Sequence, residues 1–599
     1  MSAGDRPAGD RSGLIARVVT DVAGIDKEFD YLVPAAMAPE VEVGTQVRVP
    51  LGPRRVGAWV VGLRPAEPPS GEAAPAPDGG WALRPVAKRR GHGPTADLVD
   101  LAGWAAWRWA GKRATFLTAA SADAAVVRLP PTRRRPPTAP PPGTARQPPA
   151  GPGPHVVRLP PAADPTALVA TAAQRGPTLV IVPSTARAAV LAGRLRRAGG
   201  DVALLPDDWA AARAGRAVVI GSRAAAWGPC PDLAAVVVLD AHDESLRQEG
   251  APTWAAVTVA VERARRAGVP CWLVSACPTL ELLALGPLTV PEPSVERAGW
   301  AATEVLDRRL DDPRLGLYSE RLVSLVREGA KVACILNRTG RIRLLTCGAC
   351  GELVRCDRCA AAVGSPDAGT LVCPRCGHSR PGLCLRCGSI ALKSLRVGTG
   401  RAREDLERLA GRPVGEVSGP VPRGKAGGDH GTADEEVLVG TEALLRRIDP
   451  AAGFSTVAFV DFDQELLAPR VRAAEEALAL LALASRLVRG RRGRVVVQTR
   501  MPEHPVIQAA VAGNPGLAAD DQAELRRALG FPPYTAVALV AGDAAGEWVA
   551  RLAGVQVLGP DDGRWLVKAP DYSVLCDALA AVPRPATGTL RVAVDPPRL

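Results

Sequence analysis

A chain of 599 residues with 47% apolar content is long enough for about four domain-sized cores of roughly 150 residues each, which excludes disorder throughout. Its 74 Lys and Arg outnumber 62 Asp and Glu, and the resulting net charge of +12 favours a polyanionic partner such as nucleic acid. No apolar run reaches the roughly 18 residues of a bilayer span and Met1 to Gly13 lacks the apolar centre of a secretory signal, so a cytoplasmic protein without membrane contact is expected.

Residues 14 to 63 alternate apolar and polar positions between turn signals, as in Thr45 to Pro50 and Val56 to Val61, and predict short strands in a β-rich module over residues 1–90. Apolar residues at helical spacing from Leu98 to Trp109, continued by Lys112 to Val127, predict a winged-helix-like unit over 91–128. Prolines then dominate 129–154, with Arg133 to Arg135 among them, and predict an extended linker. Strand-like runs at Thr178 to Val182, Ala217 to Gly221, Ala234 to Leu239 and Cys271 to Ser275 are separated by helical stretches such as Thr185 to Arg197. That alternation predicts a parallel sheet with crossover helices over 155–300. Lys331 to Leu336, Glu436 to Gly440, Thr456 to Phe462 and Arg494 to Thr499 repeat it over 301–500, around an insert at 345–390. A smaller α+β domain is expected over 501–599.

Eight of the thirteen cysteines crowd into that insert as four C-x-x-C pairs: Cys347 with Cys350, Cys356 with Cys359, Cys373 with Cys376, and Cys384 with Cys387. Each pair can present two thiolates to one ion from a tight turn, and zinc takes four tetrahedrally, so four pairs fill two sites. A closed shell of thiolates has no place for a catalytic water, which makes both sites structural. Redox dithiols are the other reading, and the repetition of the pair weighs against it. His378 is either a substitute ligand or a surface residue of the knuckle. Cys230, Cys271, Cys277, Cys334 and Cys576 stand singly and are expected to be inert packing.

Further motifs are spread along the chain. They are Phe29-Asp30-Tyr31-Leu32-Val33-Pro34, Val47-Arg48-Val49-Pro50-Leu51-Gly52, Ser275-Ala276-Cys277-Pro278-Thr279-Leu280-Glu281 and Asn337-Arg338-Thr339-Gly340. Later come Gln498-Thr499, Pro502-Glu503-His504-Pro505, Glu524-Leu525-Arg526 and Phe531-Pro532-Pro533-Tyr534. With the double cysteine insert, this order resembles the PriA family of primosomal replication restart proteins. The resemblance implies two RecA-like helicase lobes of superfamily 2 type in an α/β fold, with DNA-binding modules before them and a C-terminal domain after them. It implies interleaved zinc sites, Cys347, Cys350, Cys384 and Cys387 holding one ion, and Cys356, Cys359, Cys373 and Cys376 the other. It also implies that Phe29, Asp30, Tyr31 and Gly52 line a pocket for the 3′ end of a nascent strand. There an aromatic face can stack a base and a carboxylate can accept from the 3′-hydroxyl. The residues by themselves allow Phe29 and Tyr31 to be core positions of a strand. Implied partners are replication forks, a single-stranded-DNA-binding protein, and the replicative helicase or its loader.

The resemblance fails at the nucleotide motifs. Where a phosphate loop G-x-x-x-x-G-K-[ST] belongs, the strand His155 to Leu159 runs into Pro160-Pro161-Ala162-Ala163-Asp164-Pro165-Thr166, with no Lys and three prolines that lack N–H donors. Gly419 to Ala426 fits G-x4-G-K, ends in Ala, and is expected to be a surface loop. Asp240-Ala241-His242-Asp243 lacks either the Asp or the Glu of D-E-x-H, and Ser485 to Arg489 keeps an arginine with no nucleotide to act on. The expectation is a restart scaffold that binds forks and promotes helicase reloading without ATP and with no catalytic residue. Its rivals are a working 3′-to-5′ helicase and a zinc-ribbon nucleic-acid protein of other role. The runs Arg133 to Arg135 and Arg489 to Arg494 are expected at the DNA backbone or on solvated faces.

Overall fold

The computed structural model describes residues 13–22, 24–66, 83–138, 149, 151–309, 317–336, 344–364, 369–394, 399–417 and 435–598. Asn337 to Gly340 and the whole of the Gly419 to Ala426 loop lie outside them.

The alternation near the N-terminus becomes a five-stranded sheet of β1 (Leu14–Thr20), β2 (Glu28–Val33), β3 (Gln46–Leu51), β4 (Arg54–Pro65) and β5 (Lys88–Gly91), in the order β2-β1-β4-β3-β5. Its apolar face closes over Val18, Tyr31, Val47, Val49 and Val60. The winged-helix-like unit expected over 91–128 is not formed. Residues there hold only the helices Ala96–Arg108 and Arg113–Ala120, with no hairpin to serve as a wing. Both helices lie against the β-module, and Trp59 Nε1 donates to Ser121 Oγ at 2.8 Å.

The first α/β block is a seven-stranded, all-parallel sheet of β6 (Gly153–Arg158), β7 (Thr178–Ile181), β8 (Val202–Leu204), β9 (Val218–Gly221), β10 (Ala235–Leu239), β11 (Pro270–Ser275) and β12 (Leu288–Thr289). Its order is β12-β6-β11-β10-β7-β9-β8. Val236 and Val238 point to one face while Val237 and Leu239 point to the other, and both faces are buried, which is why these strands read as continuous apolar runs. The second block carries β13 (Ala302–Asp307), β14 (Val332–Ile335), the insert strands β15 (Leu345–Cys347), β16 (Thr370–Val372), β17 (Ser379–Pro381) and β18 (Leu392–Ser394), then β19 (Gly415–Val417), β20 (Val437–Gly440), β21 (Thr456–Phe459) and β22 (Arg494–Thr499). Its six-stranded sheet runs β13-β22-β21-β14-β20-β19, again parallel throughout.

Two expected boundaries move. Residues 129–138 of the expected linker lie along the first block: Arg133 N donates to Gly215 O (3.1 Å), Asp201 N to Arg135 O (2.9 Å) and Thr138 N to Ala198 O (2.8 Å), while residues 139–148 and 150 lie outside the described residues. At the other end, Val506, Ile507, Ala509 and Ala510 of helix Pro505–Ala512 belong to the core of the second block. The C-terminal unit is therefore the antiparallel sheet of β23 (Ala536–Ala541), β24 (Gln556–Asp561), β25 (Arg564–Ala569) and β26 (Arg591–Val594), order β24-β25-β23-β26, with helix Tyr572–Ala581. Among the described residues no helix is long and apolar enough to cross a membrane.

Candidate functional site

The insert folds around its thiolates. Cys347, Cys350, Cys384 and Cys387 form one group and Cys356, Cys359, Cys373 and Cys376 the other, the sulfurs of each lying within 4.8 Å of one another. Closest sulfurs are 3.5–3.6 Å apart, near the edge of about 3.8 Å of a tetrahedron with zinc–sulfur bonds of about 2.3 Å. Each pair sits on a copy of one turn: Gly351, Ala360, Gly377 and Gly388 each donate N–H to the carbonyl of the first cysteine of their pair. All four residues sit at left-handed φ of 57–72°, which suits glycine and strains Ala360. The donors fit two Zn2+ ions. His378 joins neither group; its Nε2 lies 3.1 Å from Asp357. The insert is anchored on the second block through Ala362 N to Leu467 O (2.9 Å) and Arg500 Nη1 to Gly351 O (3.2 Å). The five single cysteines are all buried.

The four residues expected at a 3′-end pocket do not share one face. Tyr31 is core, 5% exposed, and its hydroxyl donates to Pro50 O at 2.8 Å. Phe29, two residues earlier, packs half-buried against the same core. Asp30 projects from the opposite face, where Arg17 Nε (3.4 Å) and Arg64 Nη2 (3.1 Å) hold its carboxylate. Gly52 makes the β3–β4 turn at φ +59°, and its carbonyl accepts from Arg84 at 3.2 Å.

Between the two parallel sheets the loop after β6 has no N–H to offer an anion from most of its length. Pro160, Pro161 and Pro165 have none, while Leu159, Ala162, Ala163 and Thr166 donate to Ser275 O, Gly299 O, Pro160 O and Asp164 Oδ1. A Cβ on Gly299 would stand 2.2 Å from Pro160 Cβ, so the loop is seated directly on that glycine. Of the arginines in Ser485 to Arg489, where no nucleotide was expected to act as partner, Arg486 meets a carboxylate. Arg486 donates Nη2 to Asp240 Oδ1 (2.6 Å), Nη1 to Asp240 Oδ2 (3.1 Å) and Nε to Pro161 O (2.9 Å). Arg187 of helix Thr185–Arg197 takes Asp240 from the other side. Burial alone would raise the Asp240 pKa; Arg486 and Arg187 outweigh it and hold the carboxyl well below the usual range. Asp243 is likewise buried and held low by Arg446, at 2.6 Å.

The same junction continues outward. Glu281 meets Arg472 (2.7 Å) and Arg526 (3.1 Å), and Arg472 reaches on to Asp595 (3.0 Å), which also binds Arg247 (2.9 Å). Burial would raise Glu281; the two arginines bring it down to about 2. Motif residues named from the sequence converge here or beside it: Ser275 Oγ lies 2.8 Å from His242 Nδ1, Thr279 caps helix Leu280–Leu283, and Arg526 is 1% exposed. Arg187, Arg446, Arg472, Glu475 and Asp595 were not legible as partners, because an arginine-rich chain gives no local sign of which arginine is buried. The basic runs are partly engaged in the fold: Arg134 pairs with Asp232 (2.6 Å) and Arg494 with Glu304 (3.2 Å).

A family described as the 3′ DNA-binding domain (3′BD) of PriA matches residues 17–121, running through the β-module and both helices behind it. The replication restart protein PriA of Haemophilus influenzae is 28% identical over 399 residues, 61% of this chain and 54% of the relative. The probable replication restart protein PriA of Mycobacterium tuberculosis is 31% identical over 375 residues, 59% of this chain and 56% of the relative. The chain thus spans about half the length of the curated relatives it matches, and is homologous to PriA-type replication restart proteins over that shared part. Among solved structures, S. cerevisiae Dbp5 bound to RNA and ADP BeF3 aligns with 63% of this chain and 88% of its own at 12% identity, with a TM-score of 0.35.

Proposed function

We propose that this chain is a DNA-binding scaffold of replication restart: it binds stalled or abandoned forks and promotes primosome assembly and reloading of the replicative helicase, without unwinding DNA itself. The 3′BD match over residues 17–121 and the restart relatives support the DNA half of this reading. One observation carries the other half. In the loop after β6 three residues are prolines and Leu159, Ala162, Ala163 and Thr166 donate to protein oxygens, while Arg486 and Arg187 already hold the Asp240 carboxylate, so the donor-rich turn and the free carboxylate that a triphosphate and its Mg2+ use are both missing. Of the proposed pocket residues, Asp30 presents a carboxylate on the outer face beside Arg17 and Arg64, suited to a terminal hydroxyl and its phosphate.

The test uses forks with a free and with a blocked 3′ end, at two salt concentrations, with and without ATP. Binding is expected to need no nucleotide, to weaken with salt as phosphate contacts release counterions, and to prefer the free end. Asp30→Ala is expected to erase that preference and spare general DNA affinity. DNA-stimulated ATP turnover that follows the purified protein and disappears in Asp240→Asn would restore an active 3′-to-5′ helicase.

A further inference from the structure

The junction between the sheets is crossed by a set of buried ion pairs. Asp240, at the end of β10, is 6% exposed and is met from the second block by every donor-bearing nitrogen of Arg486 apart from Nε, which binds Pro161 O. Asp243, 7% exposed, takes Arg446 from the same side. Leu280 N donates to Glu475 Oε1 at 2.8 Å, and Arg472 joins Glu281 of the first block to Asp595 of the C-terminal unit. Three parts of the chain therefore close on one layer of ion pairs.

A cavity of about 370 Å³ lies in this layer, bordered by Arg247, Glu281, Arg472 and Asp595. Apolar packing also crosses the junction, with Ala276 and Cys277 of the first block lying in the core of the second, and the directional pairs add to it a constraint on how the blocks face each other. Ion pairs with bidentate geometry tolerate little displacement, and buried ones specify arrangement more than they add net stability.

In a machine driven by a ligand, closure needs a ligand that binds the closed state better than the open one. Here the groups that would make that distinction are already satisfied. A carboxylate tethered in the same chain faces Arg486 at an effective concentration that a free anion must compete against. We infer that Asp240 acts as a built-in anion for Arg486, and that with the Asp243–Arg446 and Arg472 contacts it clasps the two blocks in a single arrangement that requires no ligand. DNA then meets a preformed surface rather than one assembled by closure. The inference rests on the reading above only in taking the cleft to be free of nucleotide.

The experiment places fluorescent unnatural amino acids at Val190 and Glu404, both exposed, because the zinc thiolates rule out thiol labels. The distance distribution is read for the full chain alone, with ATP and Mg2+, and with forked DNA. One narrow distribution, unmoved in all three, is expected. Asp240→Asn with Arg446→Gln is expected to lose the narrow distribution while hydrogen exchange shows β10 and β21 intact. A wild-type distance that is broad, or that shifts with ATP or DNA, overturns the clasp; so does a double variant that keeps the wild-type distribution. Should the double variant unfold, Arg446→Gln alone and the wild-type arms decide it. A fixed distance in a protein that fails to bind forks would sink the scaffold reading and leave the clasp standing.

Discussion

Tyr31 and Asp30, neighbours on one strand, face opposite sides of the sheet. Tyr31→Phe removes the hydroxyl donated to Pro50 O and is expected to lower stability by about 1 kcal/mol in urea unfolding without touching end preference. Asp30→Ala lies on the outer face and should leave the midpoint nearly unchanged, since exposed pairs contribute little. His504 gives a pH signature. Its Nδ1 accepts from Val506 N at the start of helix Pro505–Ala512. Burial brings its pKa down to about 4, more than the Asp521 carboxylate offsets, with Arg355 adding to the fall. The unfolded chain, titrating near 6.5, binds more protons between those values, so this contribution is full above about 6.5 and is lost as pH falls towards 4. Asp463, raised to about 7 by burial and by Asp461, works in the opposite sense: its contribution is lost as pH rises through that value. Comparing wild type with His504→Asn, which keeps a capping oxygen, isolates the histidine. The wild type should lose about 1–2 kcal/mol more than the variant between pH 7 and pH 5.

At the scale of the element, the zinc insert is four copies of one knuckle, of which the second is imperfect. Two zinc ions per chain are expected by metal analysis, and Cys359→Ser should release one of them and leave the other. Ala360 adopts φ 57° where the other knuckles use glycine. Ala360→Gly should therefore slow zinc loss to a chelator from the Cys356 site, by the equivalent of about 1 kcal/mol of relieved backbone strain. Equal chelation rates for the two proteins would remove the strain argument. The loop after β6 carries three prolines, donates N–H groups to protein oxygens and packs on Gly299.

At the scale of the molecule, the first block is continuous with its neighbours. Trp104, Trp109, Phe116, Trp227 and Trp254 follow one another with ring centroids 5.3–6.1 Å apart, joining the N-terminal helices to the first block. Cys576 Sγ meets Arg108 O at 3.2 Å and Trp107 Nε1 donates to Asp577 Oδ1 at 2.9 Å, joining helix Tyr572–Ala581 of the C-terminal unit to helix Ala96–Arg108. Phe116 is fully buried in that chain of rings, and Phe116→Ala should lower stability by about 3–5 kcal/mol. Because the core is shared, tryptophan fluorescence and hydrogen exchange in β23 should report one common transition, shifted together by the variant.

The sequence by itself determined what local periodicity and fixed spacing can encode. Continuous apolar runs such as Val236 to Leu239 marked strands buried on both faces, and four C-x-x-C pairs marked two metal sites, because eight thiols repeated in pairs fill two tetrahedral shells of four. The proline loop after β6 was legible for the same reason: proline lacks its donor wherever it sits. Only the tertiary structure decided that Tyr31 is core while Asp30 faces out, that helices 96–108 and 113–120 join the β-module, and that helix 505–512 belongs to the second block. It also decided that Arg486 is matched to Asp240, 246 positions away in the chain. An ion pair depends on distance and burial, and neither is written in the spacing of residues so far apart along a chain with 74 Lys and Arg to choose from.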